Sequence, residues 1–458
     1  MLNWYEWNFN KSYVIGYAIY LSLAYTHYGY FTLQYTIRDD LRAQENIKNY
    51  VLVAECLGRL IGSVIDAFIV KYSKRYRFII ANFIILFFIY PLYLGEEYMV
   101  LILFSGLMYG IGIGLVTTIA PFYMKEVIPE SILPLTLVSL QFFLIFGDEV
   151  ALLFCYIIFK YKYTTDDLLS IIVFLIPAII AGIQVILGFT VFKRDTPLHL
   201  QNGTLTYECQ MELQRLYPDD NVRAKEFTKI ENKLHKIKQD YPGFKELFSK
   251  ENRKSTSKGF ILVGLQNCVG VFICLAFTLS LSNDSHTFKK GNLILTAMKF
   301  MSTFFLFAII HPKGMKLLLL IGSIGVAITN YGNFILRLMY NDNDNLDPNT
   351  ITISNMGAGY VFDGISTCML PLIYACQIMS ERGFALSMCL YWLTNSLIFI
   401  PFFLLIERSN ESSYIIYMSY LAFFCLSATF LVVYVFIKIP MKENLSNEDT
   451  SENTTLLN

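Results

Sequence analysis

The fold class predicted by this sequence is an all-α membrane protein of twelve transmembrane helices in two six-helix halves, and three observations predict it. The chain is 55% hydrophobic and only 16% charged, with mean hydropathy +0.48, whereas soluble domains carry about 25% charge. Apolar surface on that scale cannot be hidden in two or three compact cores without large exposed patches. Apolar stretches of about 20 residues, the length that crosses the hydrocarbon core, recur along the chain. One long polar segment, residues 193–258, divides them six and six.

In order, the first six spans are 12–33, 48–70, 77–95, 98–120, 134–159 and 168–192. The second six are 259–281, 291–310, 316–338, 351–376, 384–406 and 413–437. The opening MLNWYEWNFNK is aromatic and lacks the basic region and small-residue cleavage site of a signal peptide, so the first span is expected to be retained. The expected organisation is an N-terminal half at 1–192, a partly helical cytoplasmic linker at 193–258, a C-terminal half at 259–437 and a disordered cytoplasmic tail at 438–458. Within the linker, RAKEFTKIENKLHKIKQDYPGFKELF alternates acids with bases and reads as helical and solvent-facing. An internal echo supports duplication: Pro121-Phe-Tyr-Met-Lys-Glu126 recurs as Pro371-Leu-Ile-Tyr-Ala-Cys-Gln377. Two six-span halves around a central loop is a secondary-transporter plan, with the substrate between the halves near the bilayer midplane.

Loop charges orient the chain. Lys71, Lys74, Arg75 and Arg77 follow the second span, Lys313 and Lys316 follow the eighth, and the linker holds 14 Lys/Arg against 10 Asp/Glu. All lie on one side, which the positive-inside rule makes cytoplasmic, together with both termini. The net charge of zero argues against a nucleic-acid partner and against a peripheral, polybasic attachment to membranes. The cysteines sit mostly inside apolar runs, with no CxxC pair and no His spacing suited to zinc, and read as packing thiols. No cofactor is expected, and no nucleophile, metal cluster or phosphate loop points to an enzyme.

Several motifs then carry a family resemblance. Gly110-Ile-Gly112-Ile-Gly114 is followed by Pro121-Phe-Tyr123-Met-Lys-Glu126-Val-Ile-Pro129, with Gln141 and Gly147 beyond. Gly58-Arg-Leu-Ile61-Gly62-Ser63, Tyr28-Gly29-Tyr30, Asp195-Thr196-Pro197, Gln266-Asn267 with Gly270, Pro371 and Trp392-Leu-Thr-Asn395 stand in order around it. Their order and spacing over residues 28–440 resemble the sugar porter family of the major facilitator superfamily. The resemblance implies the major facilitator fold and a small-molecule sugar carried by alternating access. It also implies cytoplasmic clusters that latch the halves by charge-assisted hydrogen bonds, here Lys71, Lys74, Arg75, Glu126, Lys316 and Arg382. The clusters depart from the family pattern, and the RxRG after Pro129 is missing, so a weaker latch is expected.

A neutral polyol needs groups that both donate and accept, with flat apolar surface for its C–H faces. On the family pattern these are Gln141, Gln266, Asn267, Trp392 and Asn395. Each has a plainer reading, since an amide in a membrane helix also bonds neighbouring helices and a lone Trp also anchors at the interface. Expected ligands are replaced by Phe272, Leu372 and Lys299. An ammonium at bilayer depth is costly unless paired or wet, and Asp363 is its first-choice partner; the alternative is that Lys299 binds a charged substrate. Among other charges within spans, Glu55 and Arg59 stand at i and i+4 and should neutralise each other. Asp66 lies near the basic loop, Asp148 and Glu149 follow Gly147 where the family is apolar, and His27 reads as a hydrogen-bonded core residue.

The proton-driven members of the family carry an Asp just after the first-span aromatic motif and an Arg in the fourth span; the matching positions are Phe31 and Gly106. Facilitated diffusion without proton coupling is therefore expected. The tail holds Glu452 with Leu456 and Leu457, similar to an acidic dileucine signal for a sorting adaptor. The plasma membrane is the expected location, with an endosomal or vacuolar membrane as the alternative. The leading function is a hexose or polyol uniporter. The alternatives are a porter for a charged or amphipathic solute and a sugar sensor that has lost efficient transport.

Overall fold

The computed structural model describes residues 8–29, 45–93, 98–161, 168–203, 205–239, 243–249, 252–269, 285–310, 315–339, 348–406 and 413–439. Each of the expected spans contains a helix. The first set is α1 (Lys11–Ser22), α2 (Glu45–Ile69), α3 (Lys74–Phe88), α4 (Met99–Val127), α5 (Leu133–Tyr161) and α6 (Leu168–Thr190). The linker contributes α7 (Pro197–Asn202), α8 (Thr206–Leu216) and α9 (Asp220–Gln239). The second set is α10 (Asn252–Cys268), α11 (Ser285–Ile309), α12 (Met315–Met339), α13 (Pro348–Phe362), α14 (Leu370–Ile378), α15 (Glu381–Ile406) and α16 (Ser413–Lys438). Among the described residues, six helices are long and apolar enough to cross a membrane.

The helices start where the sequence supplies caps. Asn10 accepts from the Tyr13 amide at the head of α1, and Ser73 accepts from the Tyr76 amide at the head of α3. In the linker Thr196 caps α7, whose first position is Pro197, and the Asp195 carboxylate accepts the Thr196 amide at 2.8 Å.

Glycines set the closest helix crossing. A Cβ on Gly58 would meet the Leu107 carbonyl, one on Gly110 the Glu55 carbonyl, and one on Gly114 the Arg59 carbonyl. The small residues at four-residue spacing on both α2 and α4 thus let the backbones touch, the packing that membrane helices use when no hydrophobic force drives them together. Replacing Gly114 with valine should lower the thermal midpoint by several degrees, measured by size-exclusion melting in detergent, because helix backbone rather than a flexible side chain obstructs it. Gly182, with nothing within 4 Å of an added Cβ, should accept alanine with no such loss.

The tenth span is broken. Helix α13 ends at Phe362, a π turn covers Asp363–Thr367, and α14 restarts at Leu370 with Pro371 in its first turn. Proline has no N–H to continue a ladder, and the wider turn leaves carbonyls without their usual intrahelical donors. Across the halves, α2 lies along α15 and α5 along α11.

The linker differs in part from its solvent-facing expectation. Helix α9 is largely exposed, but α8 buries Cys209, Glu212, Leu213 and Leu216. Glu212 accepts from the Tyr13 hydroxyl at 2.7 Å, and the Asn10 amide donates to the Leu216 carbonyl at 2.8 Å, so α8 is docked against the start of α1. Burial raises the pKa of the Glu212 carboxyl, against the opposing pull of the Tyr13 hydrogen bond and of Arg215 and Arg194.

Candidate functional site

The π turn organises the middle of the molecule. Gln141 of α5 donates from Nε2 to the Gly364 carbonyl at 2.5 Å and to Thr303 Oγ1 at 3.2 Å. Gln266 of α10 donates from Nε2 to the Cys368 carbonyl. Both amides therefore spend their donors on carbonyls at the helix break. Their Oε1 atoms are buried and have no hydrogen-bond partner among the described residues. The same holds for the indole Nε1 of Trp392, which is only 1% exposed. Asn267 donates to the Tyr391 carbonyl at 2.6 Å and to Thr394 Oγ1 at 3.3 Å, tying α10 to α15, and Asn395 is half-buried one turn beyond Trp392.

Aromatic faces stand beside these groups. Tyr28 and Tyr391 each meet Trp392 edge to face, with centroids 5.0 and 4.9 Å apart, and the two tyrosine hydroxyls are 2.9 Å apart across the halves. Buried acceptors, an indole donor and flat carbon surface are the chemistry that a neutral polyhydroxylated molecule requires. Leu372, where the family would place an aromatic ring, is packed in the core, and Phe272 and Phe31 lie outside the described residues.

Two pairs of opposite charges lie within the spans. Lys299 Nζ of α11 stands 2.7 Å from Asp363 Oδ2 at the start of the π turn and 5.6 Å from the Tyr360 ring centroid. The other oxygen of Asp363 accepts from Thr367 Oγ1 at 2.5 Å. Arg59 and Glu55 on α2 are joined at 2.5 Å, and both are buried. Asp148 and Glu149 are half-buried beyond Gly147, whose backbone lies against that of Thr26 in the turn that follows α1. His27 is buried in the helical turn Thr26–Gly29 that follows α1.

At the end of the bundle that carries the basic loops, close ion pairs join the two halves, where looser contacts were expected. Lys74 lies 2.9 Å from Glu126 and 2.7 Å from Glu381, and Arg77 lies 2.5 Å from both Asp66 and Glu381. Glu381 thus binds two cations of the opposite half. Lys125 adds donations to the Cys376, Gln377 and Met379 carbonyls, so the two echoed proline segments meet here. Thr196 closes the ring by donating to Glu126 at 2.6 Å.

Three of the expected latch cations stand elsewhere. Lys71 is exposed over its neighbour Tyr72, Lys316 donates to the Phe436 carbonyl inside its own half, and Arg75 donates to the Gly188 carbonyl on α6. Arg382 does cross the halves, reaching the Ala67 carbonyl at 3.4 Å. The sequence reading missed Arg77 and Glu381 as partners. The available signal was the i, i+3 spacing of Lys74 and Arg77, which places both on one face at the start of α3.

The geometry can now be set beside known proteins. The chain is similar to hexose transporter 1 of Plasmodium falciparum (isolate 3D7), 25% identical over 416 residues that cover 84% of this chain and 81% of that protein. Hexose transporter 1 of Plasmodium knowlesi is also 25% identical, over 426 residues covering 87% and 81%. Among solved structures, the major facilitator superfamily proton:xylose symporter XylE bound to 6-bromo-6-deoxy-D-glucose superposes with a TM-score of 0.74. It is 18% identical and covers 93% of this chain and 96% of that one. The E. coli fucose:proton symporter FucP superposes at 0.58 with 13% identity, covering 94% and 100%. The fold is thus the major facilitator fold, twelve transmembrane helices in two six-helix halves, and the protein is a multi-pass integral membrane protein rather than an enzyme. The family described as "Sugar (and other) transporter" matches residues 8–442, nearly the whole chain, and the chain belongs to it.

Proposed function

We propose that this transporter carries a hexose or similar small polyol by rocking its two halves around the Gln141, Gln266 and Trp392 layer, downhill and without proton coupling. The observation that carries this reading is the set of buried, unpartnered polar atoms there: two amide oxygens and one indole N–H. Sugar hydroxyls would complete them, with Tyr28 and Tyr391 against the C–H faces, and Asn267 and Asn395 alongside. The relatives named hexose transporters and the neighbour bound to a glucose derivative support the substrate class. A neutral substrate is favoured over a charged one because Lys299 is already matched by Asp363 at 2.7 Å.

The absence of proton coupling is argued from Gly106, which is buried against Val51 and offers no cation to a first-span carboxylate. The xylose and fucose neighbours are described as proton symporters, so coupling is the part of this reading to measure directly. We assign the face carrying Lys74 and Glu381 to the cytoplasm, and the protein to the plasma membrane. Glu452, Leu456 and Leu457, which lie outside the described residues, are our candidates for an adaptor contact.

Uptake of labelled glucose in transporter-null cells, with a competition panel and a pH electrode in the medium, is the test. Saturable uptake competed by hexoses, with no alkalinisation, is expected. Stoichiometric alkalinisation would overturn the uniport mechanism, and competition by ions alone would overturn the substrate class.

A further inference from the structure

Glu55 and Arg59 form a buried ion pair away from the basic-face network, beside the rings of Tyr28 and Trp392. Arg59 precedes Asp66 by seven residues on α2 and Trp392 follows Glu381 by eleven on α15. At 1.5 Å per residue this places them roughly 10 and 16 Å deeper than the latch. There the Arg59 guanidinium lies 5.1 Å from the centroid of Tyr28 and 5.1 Å from that of Trp392. Tyr28 belongs to the N-terminal half and Trp392 to the C-terminal half, so one cation joins the two. Glu55, 2.5 Å away on the same helix, offsets the charge without leaving α2. The back of α2 is fixed at this level, because Gly110 and Gly114 of α4 press on the Glu55 and Arg59 carbonyls. The guanidinium is therefore held by a rigid mount, and α15 is the element that can move away from it.

We propose that Arg59 is a positioning residue for the transport cycle. In contact with both Tyr28 and Trp392, it holds Trp392 against the opposite half and makes a second, deeper lock that must break when the basic face opens. This rests on the alternating-access reading above, but not on which solute is carried. Opening at the basic face separates α15 from α2, which removes the Trp392 ring from the guanidinium and lets water reach a buried ion pair. The contact with Trp392 favours the state closed at that face, because a desolvated cation gains more from an aromatic face than a wet one does.

Cys376 is a native reporter. It is buried in the last turn of α14, its carbonyl is held by Lys125, and opening of the basic face exposes it. Cys425, buried in α16, is a control for general loosening. The experiment labels purified protein with N-ethylmaleimide, without sugar, and reads each site by peptide mass spectrometry. The variants are Glu55→Gln/Arg59→Gln, which removes the pair without leaving a lone charge, and Arg59→Lys, which keeps the pair but replaces the planar guanidinium with a compact ammonium. For the double variant the expected result is a roughly tenfold faster labelling of Cys376, the scale that the one cation–π contact crossing the halves sets, with Cys425 unchanged. Arg59→Lys should show a smaller rise of about threefold, since an ammonium keeps part of the attraction. Equal acceleration at both cysteines, or wild-type labelling of Cys376 in either variant, overturns the lock. Because no sugar is present, a chain that fails to carry hexose still gives a decisive answer here, and only the uptake assay bears on the solute.

Discussion

Replacing Glu381 with glutamine will open the basic face of the carrier. Glu381 is bound by Lys74 at 2.7 Å and by Arg77 at 2.5 Å, and these are the ion pairs among the described residues that bridge α3 and α15. Each cation keeps a second partner inside its own half, Lys74 with Glu126 and Arg77 with Asp66. The substitution therefore strands no cation and removes the ion-pair tie between halves, leaving the Lys125 and Arg382 hydrogen bonds. Breaking a buried pair costs about 3–5 kcal/mol when it leaves a bare charge, and less here because both cations stay neutralised. A loss of about 2 kcal/mol corresponds to a roughly 30-fold shift toward the state open at this face. Spin labels at Tyr76 on α3 and Leu317 on α12, both exposed, should report a longer separation by double electron–electron resonance. Asp66→Asn is the contrast, because it removes a contact inside one half and should lower stability without lengthening that distance. An unchanged distance distribution in a folded Glu381→Gln protein would remove the latch from the mechanism.

How much of this was legible beforehand follows from the range of the interactions involved. The helices were readable because membrane crossing is a local requirement on about 20 consecutive residues. The order of the motifs pointed to Gln141, Gln266 and Trp392; in the structure the two amides bond the break in the tenth span, and Trp392 packs against Tyr28 and Tyr391. What the amides do there was not readable. Their donors go to the Gly364 and Cys368 carbonyls, which are free only because a π turn interrupts that span, and no simple residue pattern announces such a turn. The latch failed to show for a similar reason. Arg77 and Glu381 are 304 positions apart, and which loop cation meets which acid depends on how two helix ends are rotated. Counting basic residues found Lys71, Arg75 and Lys316, whose side chains turn to a neighbouring ring or to carbonyls within their own halves. The Glu55 and Arg59 pair was legible from its i, i+4 spacing, but its contact with Trp392 was not, since that depends on the α2 and α15 packing.

Removing either member of the Lys299 and Asp363 pair should be the most damaging single change in the second half. The two charges are 2.7 Å apart, with side chains only 15% and 12% exposed, and the cost of burying each is offset mainly by the other. Lys299→Ala leaves a carboxylate at the π turn bonded by the Thr367 hydroxyl without its counter-charge, and Asp363→Ala leaves an ammonium against the Tyr360 ring. Either change should cost about 3–5 kcal/mol, a large share of the stability of an ordinary fold, and should appear as lost monodisperse protein in detergent. The exchange Lys299→Asp with Asp363→Lys restores opposite charges at the same two positions. It should recover most of the folded yield, though not all, because the Thr367 hydrogen bond to the aspartate at 363 is lost. If the pair only joins α11 to the π turn, the exchanged protein should also transport glucose. The two outcomes separate stability from recognition: a protein that folds after the exchange but no longer carries glucose would mean that Lys299 or Asp363 bonds the solute as well as joining α11 to the π turn.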